Sequence, residues 1–290
     1  MVDQVLVTLD GVVHDPDVPL LHADDLAAVR GDGVFETVLV RGGSPCTIEL
    51  HLARLRTSAA ALELPEPDLD EWRIVIGIAL DEWGAAREGI MRLVFSRGRE
   101  HSGVPTGYVM VGPVADRVAD ARRDGVSALT LARGYSVDVA AQAPWQLLGA
   151  KTLSYATNMA ALRHAHARGA DDVIFTSSEG LVLEGPRSSV LISRGRTLLT
   201  PPVEHGILSG TTVQALFEVA GAHRFQCEIE TLRPADLILA DGVWLLSSVT
   251  LAARVHTLDK LTLPVPEIAD ELSALVGLAA ETVGAELDAA

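Results

Sequence analysis

Lys151 stands in an apolar neighbourhood, between Leu-Leu-Gly-Ala and Thr-Leu-Ser-Tyr-Ala. A partly desolvated amine has a lowered pKa, so more of it is the free nucleophile that attacks a carbonyl. A lysine lying along the surface with its charge in water is the plainer alternative. The residue stands out because, of 23 basic residues, 21 are arginine and the other lysine, Lys260, lies in the polar turn Leu258-Asp259-Lys260. Arginine supplies a fixed positive charge but cannot lose a proton near neutral pH. Glu184 closes the run Gly-Leu-Val-Leu-Glu, where strand alternation puts it with Val182 and opposite Leu181 and Leu183. There it is either an edge-strand acid in water or a half-buried carboxylate in need of a cationic partner. A protonated pyridine nitrogen is one such partner, and a ring so protonated accepts electrons from a carbanion.

A third group suits an anion. In Ile-Leu-Ser-Gly-Thr-Thr, Ser209 and Gly210 open a helix whose Thr211 and Thr212 present backbone N–H groups and hydroxyls, fit for a phosphate. Ser-Gly before a helix is also an ordinary cap. Ser247 and Ser248, after Val-Trp-Leu-Leu, add two hydroxyls, and Arg54 lies a quarter-turn off the apolar stripe of its helix, placed either for a phosphate or for solvent. Cys46 and Cys227 are isolated and read as core filling. His164 and His166 are two apart on a helix and point to different faces, so no metal site is expected.

These residues need elements to hold them. Residues 4 to 13 read as a hairpin around Asp10-Gly11, followed by strands Gly-Val-Phe-Glu-Thr-Val-Leu-Val and Pro-Cys-Thr-Ile on either side of Arg41-Gly42-Gly43. The period then becomes helical over Glu49 to Leu64, with Leu52, Leu55, Ala59 and Leu62 on one stripe, and over Asp70 to Trp83, ending at Gly84. Strands Ile-Met-Arg-Leu-Val-Phe-Ser and Tyr-Val-Met-Val-Gly-Pro-Val follow. The polar stretch from about residue 114 reads as the connection between a small N-terminal α+β domain, residues 1–116, and a larger one, 117–290. In the second, Lys151 is expected at the start of a helix that Gly169 caps, ahead of strands Asp-Asp-Val-Ile-Phe-Thr, Gly-Leu-Val-Leu-Glu-Gly and Ser-Val-Leu-Ile-Ser. A helix from Thr211 to Ala220, a strand Val-Trp-Leu-Leu-Ser and an acidic helix from Pro266 to Leu287 complete the pattern.

Composition narrows the partners. The chain has 290 residues, 48% of them hydrophobic, enough for a substantial core. A net charge of −16 makes nucleic acid an improbable partner, and any bound anion needs a local positive site. No run of about 18 apolar residues is present, so no membrane span is expected. The first residues lack the order of a signal peptide, which points to the cytoplasm.

Taken in order, the segments Gly-Asp-Gly-Val-Phe-Glu-Thr at 31 to 37, His-Leu-Ala-Arg-Leu at 51 to 55, Lys151 with its following helix, 169 to 192, and Ile-Leu-Ser-Gly-Thr-Thr at 207 to 212 resemble the class IV, or fold type IV, pyridoxal phosphate enzymes. The resemblance runs from about residue 3 to 260. It implies a mixed α+β and α/β fold of two domains like that of D-amino acid aminotransferases, pyridoxal 5'-phosphate as cofactor between them, and a homodimer. It also implies that Lys151 is the Schiff-base lysine and Glu184 the partner of the pyridine nitrogen. Arg54, Thr211, Thr212, Ser247 and Ser248 would then hold the phosphate, and Tyr155 would face the phenolic oxygen. One departure is plain: Ser189 stands where the family usually has asparagine, five residues after the glutamate.

Within the family three reactions compete. Leu-Val-Phe-Ser-Arg-Gly at 93 to 98 resembles the lyase and D-amino acid groups rather than the branched-chain enzymes. Arg99-Glu100-His101 resembles the Arg-x-His carboxylate trap of D-amino acid aminotransferases, and a two-carboxylate substrate such as aminodeoxychorismate would also engage Arg97 and Arg99. The expected activity is therefore aminodeoxychorismate lyase, which forms 4-aminobenzoate for folate biosynthesis. D-amino acid or branched-chain transamination is the alternative, ahead of cofactor binding without turnover, for which intact Lys151 and Glu184 would have no purpose.

Overall fold

The computed structural model describes residues 4–284. The helix expected over Pro266 to Leu287 is observed over Ala269–Thr282, and the expectation for residues 285–287 lies outside the described residues. It buries Leu272, Leu275 and Val276 as the pattern requires.

The described residues divide into two units: 4–115 with 150–155 and 281–284, and 116–149 with 156–280. The first is built on β1 (Val5–Thr8), β2 (Val13–His14), α1 (Leu26–Arg30), β3 (Gly33–Arg41), β4 (Ser44–Pro45), α2 (Ile48–Ala61), α3 (Leu69–Trp83), β5 (Gly89–Ser96) and β6 (Thr106–Pro113). Its strands form one antiparallel sheet in the order β2-β1-β6-β5-β3-β4. The hairpin turns at Gly11, whose φ of 80° is the left-handed value that favours glycine. Helices α2 and α3 bury Leu52, Leu55 and Ala59, and Trp72, Val75 and Ile76, each set on one helical face. Asp68 caps α3 through bonds from the Asp70 and Glu71 amides.

Two expectations change in this unit. The strand expected over Pro-Cys-Thr-Ile shrinks to Ser44–Pro45, because Ile48 already opens α2. The division at residue 116 also omits a return of the chain. Residues 150–155 lie with the first unit, since the Phe35 amide donates to the Lys151 carbonyl at 3.1 Å and the Leu153 amide to the Gly33 carbonyl at 2.8 Å. Residues 281–284 do so as well, through the Glu49 amide on the Gly284 carbonyl and the Arg41–Glu281 pair.

The second unit comprises α4 (Asp116–Asp124), β7 (Val126–Ala132), α5 (Val139–Gln142), α6 (Ala156–His166), β8 (Asp172–Thr176), β9 (Ser189–Arg194), β10 (Thr197–Thr200), α7 (Thr211–Ala220), β11 (Gln226–Ile229), α8 (Pro234–Leu239), β12 (Gly242–Ser247), β13 (Leu251–Leu258), β14 (Leu261–Thr262) and most of α9 (Ala269–Thr282). Its sheet runs β11-β10-β9-β12-β13-β7-β8, with β14 paired to β13. The ladder mixes directions: β10 with β11, β13 with β7, and β7 with β8 are parallel, while β9 and β12 pair antiparallel with their neighbours. Val190, Ile192, Val243, Leu245, Ala253 and Val255 form its core.

Here too the structure corrects local expectations. The polar stretch read as a connection is helix α4, which buries only Val118. The helix expected to begin at Lys151 begins at Ala156, because backbone bonds to β3 hold residues 151–153 extended. Gly-Leu-Val-Leu-Glu is no ladder strand. It makes isolated bridges, Thr176 with Val182 and Glu184 with Ser189, and Leu181, Val182 and Leu183 are all buried, so alternation does not separate an inner from an outer face.

Candidate active site

In the first unit, strand β3 presents two chemistries on its two faces. Val34, Glu36, Val38 and Val40 share one face, by alternation, and all are buried. A carboxylate in such a row must be paired. Its partners come from α2, where His51 and Arg54 are three apart on one side. Arg54 Nε donates to Glu36 Oε1 at 2.8 Å and Arg54 Nη2 to Glu36 Oε2 at 2.7 Å, a two-pronged pair. His51 Nδ1 lies 2.7 Å from Glu36 Oε2. Glu36 and His51 are 0% exposed and the Arg54 side chain 10%. Burial pushes the Glu36 carboxyl up, but the Arg54 charge and the bonds from Arg54 and His51 outweigh it and hold the group well below the ordinary carboxylate range. Burial moves His51 below the ordinary imidazole value, against the opposing pull of Glu36, so the ring is neutral at pH 7.

Lys151 meets the neighbouring residue of the same strand. Its Nζ lies 4.5 Å from the ring centroid of Phe35 and 5.9 Å from that of Tyr155, and the two rings stack edge to face at 5.4 Å. The Lys151 amide donates to Ser58 Oγ at 3.1 Å. The glycines of the 31-to-37 motif make room for this segment. Gly31 caps α1 with φ 67°, and a Cβ there would meet Ser154 Oγ at 2.7 Å; a Cβ on Gly33 would meet Leu153 Cδ1 at 2.8 Å. Structure thus brings Lys151, Tyr155, Phe35 and the Glu36–His51–Arg54 cluster together around one strand.

Arg97, Arg99 and His101 follow β5. Arg97 is a brace: Nε and Nη2 donate to Asp32, Nη2 also to the Leu62 carbonyl and Nη1 to that of Glu63. Arg99 uses Nε on both carboxylate oxygens of Asp24, at 2.9 and 3.1 Å, and is half exposed; its terminal nitrogens make no hydrogen bond among the described residues. His101 is exposed at the loop tip.

The second unit assembles the acidic and hydroxyl groups. Glu184 is half-buried; its Oε2 accepts from the Leu208 amide at 3.1 Å and its carbonyl from the Phe175 amide at 2.8 Å. The Tyr135 phenol is pushed up by burial and then by the negative charge of Glu184, and its hydroxyl donates to the Gly206 carbonyl at 3.3 Å. Thr211 and Thr212 open α7 and are both buried, and no side chain caps this terminus. Helix α7 packs on β12, at whose end Ser247 accepts the Thr250 amide at 3.3 Å, with Ser248 next in the chain. Among the described residues no group of three histidine, cysteine or acidic side chains is disposed to hold a metal, and no helix is long and apolar enough to cross a membrane.

Glu36 and His51 went unnoticed in the sequence although a signal existed. Glu36 falls on the apolar face of its strand, and His51 precedes Arg54 by one helical turn.

The comparisons with known proteins agree on one family. The class IV amino-transferase family pattern matches residues 33–258. A bifunctional aminodeoxychorismate lyase / D-amino acid transaminase of Mycobacterium tuberculosis is 56% identical over 284 residues, 95% of this chain and 98% of the relative. Among solved structures, a hypothetical aminotransferase of the same organism in its PLP-bound form is 57% identical with a TM-score of 0.93, covering 96% of this chain and 98% of the other. A fold IV-transaminase of Curtobacterium pusillum is 40% identical with a TM-score of 0.91 over the same shares.

Proposed function

The chain belongs to the class IV aminotransferases, and from that premise we propose that it is a pyridoxal phosphate enzyme that converts 4-amino-4-deoxychorismate to 4-aminobenzoate and pyruvate. The observation that carries this reading is the 56% identity, over nearly the full length of both chains, to an enzyme named for that lyase reaction. The same name favours D-amino acid transamination as a second activity.

The residues present fit the cofactor. An uncapped N-terminus on α7, with Thr212 buried and its hydroxyl bonded to no described residue, is a cradle for a phosphate. Glu184 offers a carboxylate for a ring nitrogen, and Lys151 offers the amine. When bound, the cofactor supplies an electron sink for the substrate carbon that carries the amine. Lys151 Nζ takes the proton from that carbon and returns one to the departing three-carbon fragment, so the ring becomes aromatic with no net oxidation. Tyr155 and Phe35 wall the amine and limit water around it. Glu36 holds the Arg54 guanidinium in one orientation, so that it would be ready to receive the cofactor phosphate without rearrangement. Thr211, Thr212, Ser247 and Ser248 would supply hydroxyl donors to the cofactor phosphate. Arg99 is the carboxylate reader, while the bonds of Arg97 make it the support of that loop. We take the working form to be a cytoplasmic homodimer serving folate biosynthesis.

Two assays test the reading. Purified enzyme given aminodeoxychorismate yields 4-aminobenzoate; given D-alanine and 2-oxoglutarate it yields pyruvate and glutamate. Keto-acid-dependent transamination without any 4-aminobenzoate would overturn the lyase assignment. Arg99→Ala raises KM for a carboxylate substrate by about tenfold or more, the worth of a lost charge-assisted bond, with a smaller change in kcat. An unchanged KM would remove Arg99 from this role.

A further inference from the structure

The position that departs from the family pattern, Ser189, has a place in the site. It opens β9, where it bridges to Glu184 on one side and pairs with Leu246, the residue before Ser247, on the other. Its side chain faces the start of α7. A Cβ built on Gly210, the N-cap of that helix, would collide with Ser189 Oγ and lie 3.3 Å from its Cβ. The Gly210 backbone, at φ −73° and ψ 117°, is ordinary for any residue, so glycine is required there for space and not for conformation. Ser189 is only 8% exposed, yet its hydroxyl bonds to no described residue. Its oxygen is thus confined by its neighbours but engaged by none of them, which leaves a donor free for water or a ligand at the start of α7. Beside it are the amides of the first turn of α7, which has no side-chain cap.

We propose that Ser189 Oγ is a direct ligand of the cofactor's phosphate, donating its proton to an oxygen held at the N-terminus of α7. This rests on the cofactor reading above and extends the hydroxyl set of Thr211, Thr212, Ser247 and Ser248 by a residue on a different strand. Its chemistry is that of a short neutral donor to a dianion, which stabilises the bound phosphate and does nothing for a cofactor that lacks one. Gly210 and Ser189 are then one device: the missing side chain at 210 leaves the room that the hydroxyl occupies.

The test is the affinity of apoenzyme for pyridoxal 5'-phosphate and, separately, for pyridoxal, measured by the visible band for the wild type and Ser189→Ala. Melting of the two apoproteins checks the fold. The expected result is a weakening of about tenfold or more for pyridoxal 5'-phosphate, as for loss of a bond to a charged group, with pyridoxal unchanged. Equal weakening for both compounds would overturn the proposal, because a general packing defect or a contact to the ring moves both. No weakening for either, in a wild type that does form the band, would overturn it while leaving the cofactor reading intact. A wild type that forms no band with pyridoxal 5'-phosphate would overturn both. Gly210→Ala, which drives a methyl group against Ser189 Oγ, is expected to reproduce the phosphate-specific loss.

Discussion

Lys151→Ala is expected to reduce turnover on the order of 10⁴-fold or more and to abolish the visible band formed with pyridoxal 5'-phosphate, while leaving the fold in place. The two effects separate because the segment is fastened by its backbone. The Lys151 carbonyl accepts the Phe35 amide and its own amide reaches Ser58 Oγ, and alanine keeps both bonds. What alanine removes is the amine over the Phe35 ring, together with a contact worth about 1 kcal/mol. Lys151→Arg is the sharper probe. It keeps a cation over the aromatic face but has no neutral form near pH 7, so it is expected to be as inactive as alanine. Mass spectrometry after borohydride reduction should find cofactor fixed to residue 151 in the wild type and in neither variant. A variant that retains more than about a hundredth of wild-type turnover would assign the proton transfers to another group.

Glu36→Gln is expected to cost about 3 to 5 kcal/mol of stability, the usual consequence of breaking a buried ion pair from one side. The amide cannot satisfy both Arg54 and His51 as the carboxylate does, and the guanidinium loses the charge that holds two of its nitrogens. Cofactor affinity should fall too, since the orientation of Arg54 is no longer fixed. The pH dependence gives a second readout. The Glu36 carboxyl is held below its ordinary value in the folded state, so its contribution is complete above the unfolded value near 4.5 and is lost as pH falls below it. The folded-state value of His51 is likewise lowered, and its contribution is lost earlier, as pH falls through about 6.5. Wild-type stability should therefore decline in two stages on acidification, and Glu36→Gln should lack the lower one. A variant within about 1 kcal/mol of the wild type in denaturant melts would show that the cluster contributes little net energy.

The helices and antiparallel strands with strict periodicity were legible to within a few residues. Thr211–Ala220 and the stretch ending at Trp83 follow directly from apolar spacing and from the glycines around them. Lys151 and Glu184 could be singled out by residue type, but their local structure could not. The helical pattern after Lys151 suggested a helix beginning there, whereas bonds to a strand more than a hundred residues earlier hold the segment extended. Such long-range backbone bonds leave no mark on local periodicity. Arg97 illustrates the converse difficulty. An arginine beside a substrate-like motif invites a functional reading, but its donors close on Asp32 and two carbonyls, and nothing in spacing distinguishes a brace from a reader. Glu36 was legible in principle, because an acid in register with Val34 and Val38 has to be compensated from elsewhere.

The return of residues 150–155 to the first unit bears on how such a protein can be cut or recombined. A fragment ending at residue 115 would leave the Phe35 amide and the Gly33 carbonyl without their partners and would carry no lysine at all. A fragment starting at 116 would own the lysine but not the strand that shapes its surroundings. Chimeras with a relative would therefore have to exchange three chain segments at once, and a single crossover would separate the amine from its walls. Inheritance of the reaction is tied to the whole chain, and neither unit is a portable module.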